Sequence, residues 1–101
     1  MTEREILALL ASGRVAFRHP LKLHYREGTG LFGVSVPKRL FKRAVMRNLL
    51  KRRVREAWRH NCPRLGDKKF DVFIYYIGKE PEDYGRIEKS LCQILDDLAS
   101  D

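Results

Sequence analysis

The sequence has few cysteines and no long apolar run, and both shortages exclude classes of protein. Cys62 and Cys92 are its only cysteines. Neither belongs to a Cys-x-x-Cys or Cys/His pair, so a zinc module is not expected. Two isolated thiols are typical of a reduced cytosolic protein, and we expect a cytoplasmic location. Its apolar runs are far below the ~20 residues of a membrane helix, and no secretion signal begins the chain.

Residues for independent catalysis are also missing. The sequence offers no Ser/His/Asp set, no cysteine beside a histidine and no glycine-rich loop that could hold a phosphate. His19 and His60 are lone histidines in loop or helix-end positions. We therefore expect no catalytic residue and no metal site in the protein itself.

The charge is concentrated in one segment. The chain has 101 residues, enough for one domain over 1–101, and its 21 basic and 13 acidic residues give a net charge of +8. Between positions 38 and 59 the only acid is Glu56. The basic residues there are Lys38, Arg39, Lys42, Arg43, Arg47, Lys51, Arg52, Arg53, Arg55 and Arg59. The rest of the chain is close to neutral, and such a concentrated positive field attracts a polyanion.

Local patterns predict an α+β fold with the order α-β-β-β-α-β-α. Thr2 and Glu5 form a capping box for a short helix over about 3–12, which Gly13 ends. Hydrophobic alternation, or β-branched and aromatic composition, predicts strands at 15–17, 21–26, 31–36 and 70–77. The second and third strands flank a glycine-containing turn, so we expect them to pair as a hairpin. Apolar spacing predicts helices over about 41–61 and near the C terminus.

A helical wheel separates the basic and apolar residues of the long helix. Arg47, Lys51 and Arg55 form one stripe at i, i+4 and i+8, with Asn48, Arg52 and Arg59 beside it. Met46, Leu49, Leu50 and Ala57 fall on the opposite side and should face the sheet. We therefore expect the stripe to face away from the core.

Four interpretations of the stripe are open on residue type alone. A solvated charged face normally mixes signs, and a membrane-surface helix would need the apolar side that the core already uses. A DNA-reading helix usually mixes polar readers with basic positioners. Arginine, whose planar fork suits bidentate phosphate contacts and stacking on bases, dominates the stripe and favours a nucleic acid. Because almost all of the stripe seeks phosphate, it does not resemble a DNA-reading helix.

The same helix carries a motif of a known family. The stretch 42–56 reads KRAVMRNLLKRRVRE, and 35–39 before it reads SVPKR. This resembles the arginine-asparagine signature helix of the protein subunit of bacterial ribonuclease P, in which Lys/Arg-Ala-x-x-Arg-Asn-x-x-Lys-Arg-x-x-Arg-Glu follows a strand and a basic turn. The resemblance covers nearly the whole chain.

The resemblance implies a fold and a role. The fold is a single-domain α/β sandwich, whose mixed sheet contains a left-handed β-α-β crossover. The role is to bind a catalytic RNA that removes the 5′ leader of precursor tRNA, with Mg²⁺ held mainly by that RNA. The implied RNA-binding residues are Arg47, Asn48, Lys51, Arg52 and Arg55, with Lys42, Arg43 and Arg53 in support; Lys38, Arg39 and Arg59 are added from the charge pattern. The runner-up is a structural RNA-binding protein such as a ribosomal component.

A second surface is implied for the single-stranded leader, in a cleft between the first helix and the sheet. The positions that match it are Ile6, Leu10, Phe17, Lys22 and His24, although core packing explains the apolar ones equally well. The partners implied are the catalytic RNA and precursor tRNA, with no membrane and no protein partner. The family's basic extension before the first helix is expected to be either short or removed here, because Thr2 and Glu3 follow Met1.

Overall fold

The computed structural model describes residues 1–100 and confirms the α+β class and the order of elements. The elements are α1 (Glu3–Ser12), β1 (Arg14–Arg18), β2 (Leu21–Glu27), β3 (Phe32–Ser35), α2 (Ala44–Asn61), a 3₁₀ turn (Cys62–Leu65), β4 (Phe70–Tyr76) and α3 (Tyr84–Ser100). The capping box at the start of α1 forms as predicted. The Thr2 hydroxyl accepts the amide of Glu5, and the Glu5 carboxylate accepts the amide of Thr2.

The strands form one mixed sheet with the order β1-β2-β4-β3. β2 pairs antiparallel with β1 and β4, whereas β3 pairs with β4 in parallel. The predicted hairpin between β2 and β3 is therefore wrong, because β4 lies between them. The hairpin that does form joins β1 to β2 through His19 and Pro20. A crossover through α2 joins β3 to β4, and its left-handed sense stays a prediction.

A buried carboxylate explains how the chain passes from β2 to β3 without pairing them. Asp71 in β4 is 5% exposed, and its Oδ1 accepts the amides of Thr29 and Leu31 at 3.0 Å each. Burial opposes ionisation of this carboxyl, but hydrogen bonds from the loop amides and the charge of Arg26 outweigh it, so the Asp71 pKa is lowered. The loop between the two strands is thus anchored on β4, which keeps their ends apart.

The hydrophobic core lies on one face of the sheet, under α2 and α3. Leu21, Leu23, Val72, Ile74 and Tyr76 alternate along β2 and β4 and are fully buried. The face of α3 that covers them consists of Ile87, Leu91, Ile94, Leu95 and Leu98. This is the apolar face expected of the C-terminal helix.

The opposite face of the sheet is covered only in part, by α1. Helix α1 contacts β2 and β4 and buries Leu9 completely. Phe73 is 6% exposed on this face. Beyond α1 the face stays open, since Val15 and Phe17 of the edge strand β1 are 52% and 56% exposed. This incomplete cover leaves room for a groove.

Helix α2 begins at Ala44, three residues later than predicted. Its core side consists of Leu50, Val54, Ala57 and Asn61. The predicted orientation is therefore confirmed for Leu50 and Ala57. Met46 is half-buried and packs against the core, and Leu49 is half-buried, because the buried arc is centred nearer to Val54.

Candidate nucleic-acid interface

The basic side chains of α2 form an elongated surface, which we call the basic helical face. Its members are Arg47, Asn48, Lys51, Arg52, Arg55 and Arg59. Asn48, Arg52, Arg55 and Arg59 are exposed, whereas Arg47 and Lys51 are half-buried at the edge nearer the core. The apolar side of α2 is used by the core, so the helix can present only this charged side to a partner.

Most cations of the segment lack an internal partner. Within residues 1–100, no hydrogen bond or ion pair involves the side chains of Lys38, Arg39, Lys42, Arg43, Lys51, Arg52 or Arg55. Like charges this close repel one another, at a cost of a few tenths of a kcal/mol per pair. Their charge is therefore available to an anionic partner, whose binding would relieve the repulsion.

Three cations of the segment contact the protein itself. Arg59 pairs with Glu56 at 2.7 Å. Arg53 lies outside the basic helical face, half-buried, and its Nη1 donates to the Glu82 carbonyl at 2.7 Å. Arg47 Nη1 donates to the carbonyls of Phe41 and Lys42. The expectation that the stripe faces away from the core is therefore wrong for Arg47, which is half-buried and bonded to the segment before α2.

The acidic residues near the C terminus are paired away from the basic helical face. Asp96 accepts Arg64 at 3.1 Å, and Asp97 pairs with Arg18 at 3.4 Å. Arg18 belongs to β1 and Arg64 to the 3₁₀ turn, so both pairs involve cations outside the 38–59 segment. These two carboxylates therefore do not neutralise the cations of residues 38–59.

A groove of about 390 Å³ lies on the open face of the sheet beside α1. It is lined by Leu10, Lys22, His24, Pro37, Arg39, Tyr75 and Ile77. The groove therefore brings together residues from α1, β2, the segment after β3, and the end of β4. Two cations and two rings in a concave site suit a single-stranded nucleic acid, which needs both phosphate and base contacts.

His24 and Tyr75 form the aromatic part of this groove. Their rings meet edge to face, with centroids 5.7 Å apart. His24 Nδ1 is buried and has no hydrogen-bond partner among the described residues. Burial, assisted by the charge of Lys22, lowers the pKa of His24 and favours the neutral ring. A neutral imidazole and a phenol are both uncharged rings, the kind of side chain on which an unpaired base stacks.

The structure separates the residues predicted for the leader cleft. Leu10, Lys22 and His24 line the groove together. Phe17 pairs with Lys22 across β1 and β2 and lies exposed on the same face of the sheet. Ile6 is half-buried on α1 and is not part of the groove lining. Sequence reasoning missed Tyr75, and it placed Arg39 with the basic helix alone.

Residues 1–100 contain no group of three or more His, Cys, Asp or Glu side chains placed to hold a metal ion. We therefore assign no metal ligand in this part of the chain. None of the helices in the same range is long and apolar enough to cross a membrane.

A cationic helix face beside a groove with aromatic and basic lining defines a class, the nucleic-acid-binding proteins of α+β fold. The family model described as Ribonuclease P matches residues 1–99. The chain belongs to the ribonuclease P protein family.

Two relatives named "Ribonuclease P protein component" support this assignment. That of Porphyromonas gingivalis W83 is 33% identical over 90% of this chain and 75% of the relative. That of Aromatoleum aromaticum is 48% identical over 59% and 57%.

Solved structures show the same fold. The RNase P protein from Thermotoga maritima is 25% identical and superimposes with a TM-score of 0.79, covering 93% of this chain and 91% of that one. The RNase P protein of Staphylococcus aureus also gives a TM-score of 0.79, at 20% identity, over 94% and 89%. The resemblance found in the signature helix is thus confirmed along nearly the whole chain.

Proposed function

We propose that this protein binds the catalytic RNA of ribonuclease P through the basic helical face and the 5′ leader of precursor tRNA through the groove beside α1. The holoenzyme then matures the 5′ end of tRNA in the cytoplasm. The observation that carries the proposal is the set of cations on and before α2 that have no partner within residues 1–100, on a helix whose other side is buried. RNA phosphates supply the missing negative charge.

The groove supports a contact with the substrate, in addition to the proposed contact of the basic helical face with the catalytic RNA. A structural RNA-binding protein needs only one charged surface. Here a second, concave surface places the His24 and Tyr75 rings beside Lys22 and Arg39. Aromatic rings bind unpaired bases by stacking, and cations bind the phosphates between them. A single-stranded leader offers both groups.

In this proposal the RNA performs the chemistry. The chain offers no catalytic constellation, and the RNA is expected to hold the Mg²⁺ ions that the reaction needs. The protein contributes positive charge, which reduces repulsion between the phosphates of the catalytic RNA and the substrate. It should therefore lower the Mg²⁺ concentration required for cleavage.

Reconstitution tests the proposal. The protein is mixed with a bacterial ribonuclease P RNA and assayed for cleavage of precursor tRNA over a Mg²⁺ titration, beside RNA alone and protein alone. We expect the complex to cleave at lower Mg²⁺ than RNA alone and the protein alone to be inactive. Cleavage by RNA-free protein, or a Mg²⁺ requirement unchanged by the protein, would contradict the proposal.

A further inference from the structure

Residues 37–43, seven of the eight residues between β3 and α2, connect the two proposed RNA surfaces. This connecting segment, residues 37–43, begins at the groove, where Pro37 and Arg39 form part of the lining. It ends at α2 with Lys42 and Arg43, whose side chains are exposed next to the basic helical face. Any movement of this segment would change the position of one surface relative to the other.

Two contacts inside the protein fix the first part of the connecting segment. The Pro37 carbonyl accepts the amides of Leu40 and Phe41 at 3.1 and 3.2 Å, which closes a turn. The Phe41 ring is 8% exposed and packs edge-on against Tyr76, with centroids 5.6 Å apart. The segment therefore has a defined conformation up to Phe41.

Arg47 holds the last part of the segment. Its Nη1 donates to the Phe41 carbonyl at 2.9 Å and to the Lys42 carbonyl at 2.8 Å. The start of α2 has no other side-chain support, because Arg43 at the N-cap makes no capping hydrogen bond and the first turn contains no acid. The Arg47 guanidinium is thus the side chain that ties the segment to the helix.

We propose that Arg47 is a positioning residue that couples the two RNA surfaces by holding the connecting segment against α2. By holding the Phe41 and Lys42 carbonyls, it fixes the turn that carries Arg39, and Lys42 with it, relative to α2. The coupling of the two RNA surfaces rests on the proposed function. The hydrogen bonds from Arg47 to the connecting segment, which we call the clamp, are present in the free protein. The two N–H groups of one guanidinium nitrogen have fixed directions in a rigid plane, whereas a lysine ammonium is more strongly hydrated and sits on a flexible stem, so it holds the two carbonyls less firmly.

The test compares Arg47→Ala and Arg47→Lys with Arg55→Ala, the matched loss of one exposed arginine on the same helix. Amide hydrogen exchange of the free proteins is measured at Leu40 and Phe41, with the Ile74 amide in the central strand as the control for global unfolding. We expect both Arg47 variants to exchange faster at Leu40 and Phe41 by roughly 10- to 100-fold, because the turn closed by the Pro37 carbonyl opens more easily once charge-assisted hydrogen bonds no longer hold the Phe41 and Lys42 carbonyls. Arg55→Ala should leave these amides as in the wild type.

The second readout is the holoenzyme's preference for precursor over mature tRNA. Arg55→Ala should weaken binding to the catalytic RNA and leave this preference intact, whereas both Arg47 variants should reduce the preference severalfold. Arg47→Lys keeps the charge, so the salt dependence of its RNA binding should match that of the wild type. If Arg47→Ala unfolds the protein, exchange at Ile74 rises as well, and Arg47→Lys carries the comparison.

Three outcomes would overturn the coupling, and they differ from one another. Unchanged exchange at Leu40 and Phe41 in both variants would show that Arg47 does not clamp the segment. Faster exchange with an intact precursor preference would show a clamp that does not couple the surfaces. A wild-type protein that binds no catalytic RNA would overturn the proposed function, and the exchange data would still decide the clamp.

Discussion

The basic helical face and the groove beside α1 differ in shape, charge and chemistry. The face is the convex surface of a helix, and three of its five cations, Lys51, Arg52 and Arg55, have no partner within residues 1–100. The groove is concave and combines two cations with the His24 and Tyr75 rings and the aliphatic Leu10. Phosphate contacts give affinity without reading sequence, whereas ring contacts require bases that are free to stack. The comparison assigns affinity to the face and recognition of a single strand to the groove.

The difference arises from how each face of the sheet is covered. Helices α2 and α3 pack on the core face, so α2 has one side buried and carries its cations on the other. Helix α1 is ten residues long and covers only part of the other face. The uncovered strands supply the groove, and their outward side chains become its lining.

The largest effect is expected from removing charge on the basic helical face. Replacing Arg52 and Arg55 together by alanine should weaken binding to the catalytic RNA by about 3 kcal/mol or more, from two charge-assisted contacts. The slope of log K against log salt should flatten by about 1.4 to 1.8, because counterion release contributes roughly 0.7 to 0.9 per phosphate contact. Filter binding over a salt series measures both quantities.

The control for this variant removes the same charge elsewhere. Arg18 and Arg64 replaced together by alanine lose exposed ion pairs with Asp97 and Asp96, which contribute little to stability. RNA affinity and salt slope should stay near those of the wild type. Equal losses in the two double variants would show that net charge alone controls binding.

A smaller effect is expected in the groove. Tyr75→Ala should reduce the preference for precursor over mature tRNA by about 1 to 3 kcal/mol, the contribution of one stacked base. Tyr75→Phe keeps the ring and should retain the preference. Competition between precursor and mature tRNA for the holoenzyme measures this preference. If the alanine variant discriminates as the wild type does while remaining folded, Tyr75 does not contact the leader.

Helix α1 offers a pair of leucines that tests the edge of the groove. Leu10 lines it, whereas Leu7 is 59% exposed on the same helix outside it. Leu10→Ala should lower the precursor preference by about 1 kcal/mol through lost apolar contact, and Leu7→Ala should leave it unchanged. Thermal melting of both variants checks that the helix still docks. A loss shared equally by the two variants would show a general effect of α1 rather than a contact.

The smallest effect is a pH dependence of stability that arises from His24 in the groove. The pKa of His24 is lowered in the folded protein, so the unfolded chain takes up the proton first as the pH falls. The associated stability is present above about pH 6.5, the unfolded value, and is lost as the pH falls from there through the folded pKa. His24→Gln should therefore lose less stability than the wild type between pH 7 and pH 5 in urea melts. Equal losses of stability in the variant and the wild type would contradict a lowered pKa of His24 in the folded protein.

Local sequence predicted elements better than it predicted pairing. The capping box of Thr2 and Glu5 and the apolar face of α3 depend on residues close in the chain, and both form as expected. The pairing of β2 with β4 joins positions about fifty residues apart, and alternation within a strand does not specify its neighbour. The Asp71 carboxylate that anchors the intervening loop is also invisible in a local pattern, which explains the wrong hairpin.

The sequence predicted the part of the site that depends on charge. It did not predict the part that depends on how side chains pack. The cations of α2 stand out in the sequence because only Glu56 interrupts them. Tyr75 sits in a strand that is apolar at almost every position, so alternation does not reveal which side is open. Arg47 looks like its neighbours until its carbonyl partners are known. The residue roles on both surfaces remain predictions.

The position of β4 in the sheet has a consequence for how the chain is made. This strand is the last of the four to be synthesised, yet it lies between β2 and β3 and carries the carboxylate that anchors their connection. A nascent chain that ends before residue 70 contains the whole of α2 but lacks the strand that β2 and β3 both require. The basic helix is thus translated before the sheet that buries its apolar side can close. Until β4 is added, the apolar side of α2 has no complete sheet to pack against, so both proposed RNA surfaces have to wait for the final third of the chain.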